Sequence, residues 1–370
     1  MGAPAGVAAT RRGGVFHRLR IARVERLCPD AAAVTLAVPE RLADRFAFAP
    51  GQWLTVRRWV AGREERRSYS VCAEVGAAPR IGVRLVPDGL VSTWLVREAA
   101  PGDVLEVAPP SGTFTPDLTV PDHHVLVAAG SGITPMVSIA ASLLRRCVGA
   151  RVTLLYGNRG SGSVMFADEL AELKDAFPTR FQLVHVLSRE PREVDVLSGR
   201  LDGPRLEVLA RALLDPRVAH RWWLCGPLPM VSEARRALAR LGVAPERVRG
   251  ELFHAGEPPT DEGPSPARRP AGPAGAGGPT SRVTVVLDGR ASTVELPRGQ
   301  RVLDGAQRSR PELPFACRGG VCGTCRARVT RGRAVMRRNF ALEPAEMAAG
   351  YVLTCQALPD SEAVTLDFDG

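Results

Sequence analysis

The chain contains a single lysine, Lys174, so the other 48 of its 49 basic residues are arginine. A substitution so uniform along 370 residues reads as a compositional bias rather than a binding device. The net charge of +10 therefore says little about partners. Aromatic residues make up only 5%, and no basic run alternates with them, which argues against a nucleic-acid surface. No apolar stretch approaches the ~20 residues needed to span a bilayer, so no membrane segment is expected. The opening "MGAPAGVAATRRGG" has two arginines but no apolar core after them and does not read as a secretory signal. The expected location is cytoplasmic, where thiols stay reduced. No catalytic triad or paired-carboxylate arrangement is recognisable, so the chemistry has to be sought elsewhere.

What the chain does contain is punctuated into segments. Residues 257–280, "EPPTDEGPSPARRPAGPAGAGGPT", are rich in Pro, Gly and Ala without apolar periodicity and read as a flexible linker. Before them, residues 13–118 carry short strand-like runs such as "AAVTLAV", "QWLTVRRWV" and "RIGVRLV", broken by Gly and Pro. That pattern predicts an antiparallel β-barrel. Residues 119–256 alternate strand-like and helix-like stretches: "HHVLVAAG" then "PMVSIAASLLRR", "RVTLLYGN" then "FADELAELKDAF", and two more such pairs. Alternation of this kind predicts a doubly wound parallel sheet, an α/β domain. The whole is a multidomain chain, ending in a piece at 281–370.

That last piece holds half of the eight cysteines. "CRGGVCGTC" places Cys317, Cys322 and Cys325 within nine residues, and Cys355 follows after twenty-nine more. C-x4-C-x2-C with a distant fourth cysteine is the plant-type [2Fe–2S] spacing. Three thiolates converging on one small cluster need a tight loop, and Gly319, Gly320, Gly323 and Thr324 let backbone amides approach the sulfurs. A zinc site favours paired knuckles, and here the distal cysteine is single. With "RVTVVLDG" and "STVELPRG" forming a hairpin and "AVTLDFD" a final strand, the segment resembles plant-type ferredoxins, which implies a β-grasp-like [2Fe–2S] domain. Cys28, Cys72 and Cys147 read as small buried residues.

"RRSYS" at 66–70, with "PGQW" upstream and "DGLVSTWL" downstream, resembles the flavin domain of the ferredoxin–NADP reductase family. The resemblance implies roles and the choice of FAD. Arg67 would neutralise the flavin phosphate. Ser68 lies between them, Tyr69 would lie against the isoalloxazine, and Ser70 would hydrogen-bond near N5. Gly89, Leu90, Val91, Ser92 and Thr93 would open a short helix whose amides hold phosphate.

"AAGSGITPM" at 128–136 follows a strand and opens a helix, the setting of a phosphate loop. It reads G-x-G-x-x-P, departing from the dehydrogenase fingerprint and matching the reductase family. Gly130 and Gly132 would admit the pyrophosphate, with Thr134 adding a hydroxyl beside Pro135. "LCGP" at 224–227 would line the nicotinamide with Cys225, Gly226 and Pro227. Glu251 and Phe253 of "ELF" sit where the family places an acid and an aromatic near the flavin. "LSRE" follows the third strand of the sheet. Ser188 and Arg189 are a hydroxyl and a cation where an NAD reader places an acid, which points to NADPH, with Arg159 or Arg200 as helpers.

The expected path runs from NADPH through FAD and the [2Fe–2S] cluster to a protein acceptor. The order of domains resembles reductase components of bacterial oxygenases. "NFALEPAEMAAGYVLTCQALP" at 339–359 resembles the reductase subunits of phenylacetyl-CoA epoxidases, which implies a diiron oxygenase partner. Reductases of Rieske ring-hydroxylating and ketosteroid-hydroxylating oxygenases end similarly and are the alternative. The four cysteines alone also suit a different class, a non-enzymatic redox sensor or zinc-binding protein.

Overall fold

The computed structural model describes residues 16–214, 220–253 and 279–370. They divide into two compact units, one within Phe16–Glu257 and one within Pro258–Gly370. The proposed linker, 257–280, lies outside the described residues except for its last two; Thr280 already belongs to a strand. No helix among the described residues is long and apolar enough to cross a membrane.

The first unit begins with a six-stranded antiparallel sheet. Its elements are β1 (His17–Cys28), β2 (Ala31–Ala37), the short α1 (Ala43–Phe46), β3 (Trp53–Val60), β4 (Arg63–Ser70), β5 (Arg80–Arg84), α2 (Leu90–Arg97) and β6 (Val104–Val107). The strand order is β4-β3-β6-β1-β2-β5, and a bridge between Val71 and Ile81 closes the edges into a barrel, as the strand pattern predicts. Alternate residues such as Leu19, Ile21, Val34, Leu36, Leu54, Val56, Ile81 and Val83 fill its interior. Ala61 and Gly62, with φ of 48° and 73°, make the two-residue turn between β3 and β4. Both positive angles match the right-handed strand twist, so this turn sets the hairpin register. Tyr69 falls opposite Leu54 and Arg67 opposite Val56. A one-residue slip would turn Tyr69 away from the barrel core on which it packs.

The same unit continues as β7 (His123–Ala129), α3 (Ile133–Arg146), β8 (Arg151–Asn158), α4 (Ala167–Ala176), β9 (Phe181–Leu187), α5 (Gly203–Leu213), β10 (Arg221–Gly226), α6 (Leu228–Arg240) and β11 (Val248–Leu252). Five parallel strands run in the order β11-β10-β7-β8-β9. Successive residues serve opposite faces. Leu126 and Ala128 pack under α3 and α4, while Val125 and Val127 pack under α5 and α6. Between β7 and β10 the chain reverses its direction of travel across the sheet, and the carboxyl ends of such neighbours open a crevice for a ligand.

The boundary expected near residue 118 does not separate two cores. Cys28, Ala31, Ala33, Cys72 and Phe114 from the barrel join Met136, Ile139, Ala140 and Leu144 of α3 in one continuous apolar cluster. Arg80 of β5 reinforces it with a two-pronged ion pair to Glu169 of α4, at 2.8 and 2.7 Å. Cys28, Cys72 and Cys147 are buried in this cluster, the packing role the sequence suggests.

The second unit contains β12 (Thr280–Leu287), β13 (Arg290–Pro297), α7 (Val302–Ala306), β14 (Arg326–Arg331), β15 (Ala334–Met336), α8 (Pro344–Ala348), β16 (Tyr351–Leu353), β17 (Ala357–Pro359) and β18 (Ala363–Asp367). A mixed sheet ordered β13-β12-β18-β14-β16 pairs its first and last long strands, β12 and β18, in parallel. Helix α7 covers it through Val302 and Leu303. Arg310, almost fully buried, donates to Leu287 O, Arg290 O and Ser292 Oγ and so ties down the tip of the β12–β13 hairpin.

Candidate functional site

The crevice at the ends of β7 and β10 is built by close backbone packing. A Cβ on Gly132 would stand 2.1 Å from Cys225 O and 2.9 Å from Gly226 N. Glycine is thus demanded here by the neighbouring strand, not only by an approaching phosphate, which refines the reading of the G-x-G motif. Gly130 adopts a φ of 55°, and its carbonyl accepts from the Tyr156 hydroxyl at 3.0 Å. The expectation for Thr134 needs correcting. Its side chain is fully buried, and its hydroxyl donates to Ser131 O at 3.0 Å, so it braces the loop and is not offered to a ligand. Pro135 is likewise buried.

One wall of the crevice comes from the barrel. Ser70 is buried and its hydroxyl donates to Glu251 Oε1 at 3.1 Å, joining β4 to β11. Burial pushes the Glu251 carboxyl up to about 8 against the pull of Ser70, so it is neutral below that pH. Its other oxygen, Oε2, is buried and has no hydrogen-bond partner among the described residues. Cys225 lies beside Glu251 in the strand register and is completely buried. Burial, and then the Glu251 carboxylate, raise its thiol well above the usual range, so it stays protonated and its contribution is shape. Phe253 packs on the shared core, and its N–H donates to Gly226 O at 3.2 Å. Gly226 is buried, while Pro227 is exposed at the rim.

Tyr69 packs against the barrel core, and burial raises its phenol above the ordinary value. Arg67 projects to solvent, held by Glu65 at 3.0 Å. Ser68 pairs its hydroxyl with that of Thr55 at 3.3 Å. Gly89 caps α2. Val91 is buried, and the Ser92 hydroxyl donates to Gly89 O at 3.1 Å while accepting from Val86 N–H. At this helix start only backbone amides and the more open Leu90 and Thr93 remain for a ligand.

Ser188 and Arg189 lie just beyond the carboxyl end of β9. The Arg189 N–H donates to Arg159 O at 2.7 Å, placing two exposed arginines on adjacent strand ends. Neither makes an ion pair among the described residues. Glu190 turns away, accepting from Ser161 N–H at 2.7 Å and Ser161 Oγ at 2.9 Å. The acid of "LSRE" is thereby spent on the loop. Arg200 is exposed, and its carbonyl accepts from Arg205.

One residue at this crevice escapes the sequence reading. Arg84, ending β5, places its Nη1 3.2 Å from the position of a Cβ on Gly130 and is oriented by Asp30, also at 3.2 Å. No motif flags it in so arginine-rich a chain.

In the second unit the four thiols gather as two pairs. Cys317 hydrogen-bonds Cys322, which pulls the Cys317 thiol down to about 5 and pushes that of Cys322 up. Cys325 and Cys355 pair in the same way, Cys355 being lowered and Cys325 raised. No three ligating side chains among the described residues converge on a single point. Two thiol pairs fit a two-iron cluster, each iron taking one pair, better than one tetrahedral ion. The loop is shaped for close approach. Arg318, Gly320 and Gly323 all have positive φ, and the Gly319 N–H points at Cys317 Sγ at 3.3 Å. A Cβ on Gly320 would meet Gln356 Cγ at 2.9 Å. Gln356 holds the loop through Arg318 O at 2.9 Å and reaches Cys355 Sγ at 3.8 Å. Cys317 is exposed, Cys322 partly covered, Cys325 and Cys355 buried.

Comparison with known proteins agrees with this division. Three family models match: an oxidoreductase FAD-binding domain over residues 18–115, an oxidoreductase NAD-binding domain over 126–236, and a 2Fe-2S iron-sulfur cluster binding domain over 285–360. The chain is 38% identical to a subunit of the 1,2-phenylacetyl-CoA epoxidase of Escherichia coli, over 96% of this chain and 98% of that one. It is 34% identical to the ferredoxin reductase component of the 3-ketosteroid-9-alpha-monooxygenase of Rhodococcus rhodochrous, over 95% and 96% respectively. Phthalate dioxygenase reductase shares its fold, with a TM-score of 0.57 at 24% identity over 95% of this chain and 98% of that structure.

Proposed function

The chain belongs to the ferredoxin–NADP reductase-type proteins that carry a C-terminal [2Fe–2S] domain, and from that premise we propose that it takes electrons from NADPH and delivers them to the oxygenase component of a diiron phenylacetyl-CoA epoxidase. It is a reductase with flavin, nicotinamide and iron–sulfur domains; the nucleotide and the acceptor are the finer parts of the reading. When bound, the nicotinamide supplies a hydride, the flavin splits the electron pair, and the cluster carries single electrons.

The chain's residues do the rest. Arg67 and the amides at the start of α2 hold the flavin phosphates, Tyr69 supports the ring, and Ser70 faces N5. Glu251 keeps a proton beside Ser70 below about pH 8, with Oε2 free to give or take it. Cys225 and Gly226 floor the nicotinamide pocket, and Gly132 keeps that floor within reach of the glycine loop. Phe253 covers the place the nicotinamide must take. Ser188 and Arg189, with Arg159 alongside, receive the 2′-phosphate. Cys317, Cys322, Cys325 and Cys355 would hold the cluster, which would supply a one-electron carrier there.

The observation that carries this reading is the Ser70–Glu251 bond on β11, one strand from the switch point, which brings the barrel's "RRSYS" strand to the mouth of the nucleotide crevice. The test is an anaerobic visible titration of the loaded protein with NADPH and then NADH. Sub-stoichiometric NADPH is expected to bleach the flavin and iron–sulfur bands together, with NADH less effective. An absent iron–sulfur band, or equal response to both nucleotides, refutes the cluster or the nucleotide assignment respectively. A ketosteroid-hydroxylating partner is favoured by the second relative. Mixing the reduced protein with each oxygenase component in turn decides between them.

A further inference from the structure

The cluster site has one open edge, and its surroundings are chemically one-sided. Of the four sulfurs only that of Cys317 lies on an exposed residue. The segment 337–340 packs on Gly320, in the loop that carries Cys317 and Cys322, and on Gln356. The Arg337 N–H donates to Gln356 O at 3.0 Å, the Phe340 N–H donates to Gly320 O at 3.1 Å, and Arg338 O lies 3.5 Å from the Cβ position of Gly320. From residue 313 to 342 there are seven arginines and no acid. Arg318, Arg326 and Arg333 are neutralised by Asp304, Glu346 and Asp360. Arg337 and Arg338, the two beside the cluster loop, make no ion pair among the described residues. Val335 of β15, whose last residue Met336 precedes Arg337, is 54% exposed. Met347 of α8, 42% exposed, meets Asn339 at 3.1 Å and continues the surface. Beside the cluster loop the chain thus carries two exposed apolar side chains and two arginines that make no ion pair among the described residues.

We propose that this face, Arg337 and Arg338 with Val335 and Met347 around Cys317, is the docking surface for the protein acceptor, and that the acceptor presents an acidic rim around an apolar centre. The proposal rests on the oxygenase-reductase reading and adds the chemistry of the partner's surface. Opposite charge across a contact raises the encounter rate and fixes orientation, while apolar contact holds the complex long enough for transfer. Each encounter moves one electron from the reduced cluster to the acceptor, so two encounters consume one hydride equivalent.

The test uses the full, cofactor-loaded chain and the double variant Arg337→Glu/Arg338→Glu. Two probes oxidise the reduced cluster, followed at its absorbance: the trianion ferricyanide and the trication hexaammineruthenium(III). Binding to the purified oxygenase component of a phenylacetyl-CoA epoxidase is measured alongside, from low salt to roughly 0.2 M. Charge reversal is expected to lower the ferricyanide-to-ruthenium rate ratio by about tenfold or more and to weaken the oxygenase Kd by about tenfold or more. The wild-type Kd is expected to weaken with salt, and reduction of the cluster by nucleotide within the chain to be unchanged. An unaltered probe ratio overturns the proposal whatever the oxygenase does. A salt-independent wild-type Kd that survives charge reversal overturns it too. Slowed internal reduction overturns it by assigning the face to the chain's own flavin-bearing unit. If the probe ratio shifts but wild-type protein does not bind this oxygenase, the basic exit face stands and the choice of oxygenase falls.

Discussion

Ser70 at the end of barrel strand β4 and Glu251 on the edge strand of the parallel sheet are bonded at 3.1 Å, 181 residues apart in sequence. The contact lies where two differently built halves of one unit meet, and it sets the first expectation.

Glu251 titrates near 8 instead of its ordinary 4.5 because it is buried. Its raised value means that the folded chain holds a proton the unfolded chain has lost. The stability it gives is whole below the ordinary value and is lost as pH rises from there through about 8. The slope is about 1.4 kcal/mol per pH unit for one proton. Glu251→Gln should flatten that slope in denaturation at varied pH. In stopped-flow hydride transfer, Glu251→Ala should be slower by about a hundredfold, and Glu251→Gln should lose the alkaline limb near pH 8. A wild-type limb kept by the Gln variant refutes the assignment.

Gly132→Ala places a methyl against the Cys225 carbonyl, a contact of 2.1 Å that backbone on both sides resists. The loop or the β10 end has to move, at about 1–3 kcal/mol. The KM for nucleotide should rise about tenfold or more while the flavin spectrum is retained. An unchanged KM means the loop tolerates displacement.

Arg189→Ala should cut kcat/KM for NADPH by about 10–100-fold, the worth of a charge-assisted contact to phosphate. NADH should be nearly unaffected, because the Arg189 side chain makes no ion pair among the described residues. Equal losses with both nucleotides place Arg189 away from the 2′-phosphate.

Cys355→Ser and Cys317→Ser remove one sulfur from different pairs. Each should abolish or strongly distort the iron–sulfur absorbance and leave flavin content intact, since the cluster site and the flavin crevice belong to separate compact units. Loss of flavin in either variant contradicts that independence.

Much of this was legible in the residues, because period carries secondary structure. Short strand-like runs broken by Gly and Pro marked β2, β3 and β5, and the helix-length stretches between strands marked the parallel sheet. The cysteine quartet was legible because ligand spacing is a property of sequence. Its division into two pairs was not, since that depends on where Cys355 returns in space. Thr134 was misread for the same kind of reason. A hydroxyl after a glycine loop points either at the ligand or back at the loop, and only the 3.0 Å bond to Ser131 O tells which. Arg84 was invisible because one arginine among 48 carries no signal until Gly130 is seen beside it. The boundary near residue 118 falls between the FAD-binding match ending at 115 and the NAD-binding match beginning at 126; the shared core across it was not legible, because a change in pattern does not require a change of core. Cys28, Phe114 and Leu144 share one.

The exposure of Cys317 has a cost in fidelity. An electron waiting at an open edge is offered equally to a protein acceptor and to dissolved dioxygen. The reductase reading therefore predicts a slow, nucleotide-driven uptake of dioxygen when the acceptor is left out, measurable with an oxygen electrode. Coupling is a contest of lifetimes, won when the acceptor arrives and covers Cys317 before oxygen does.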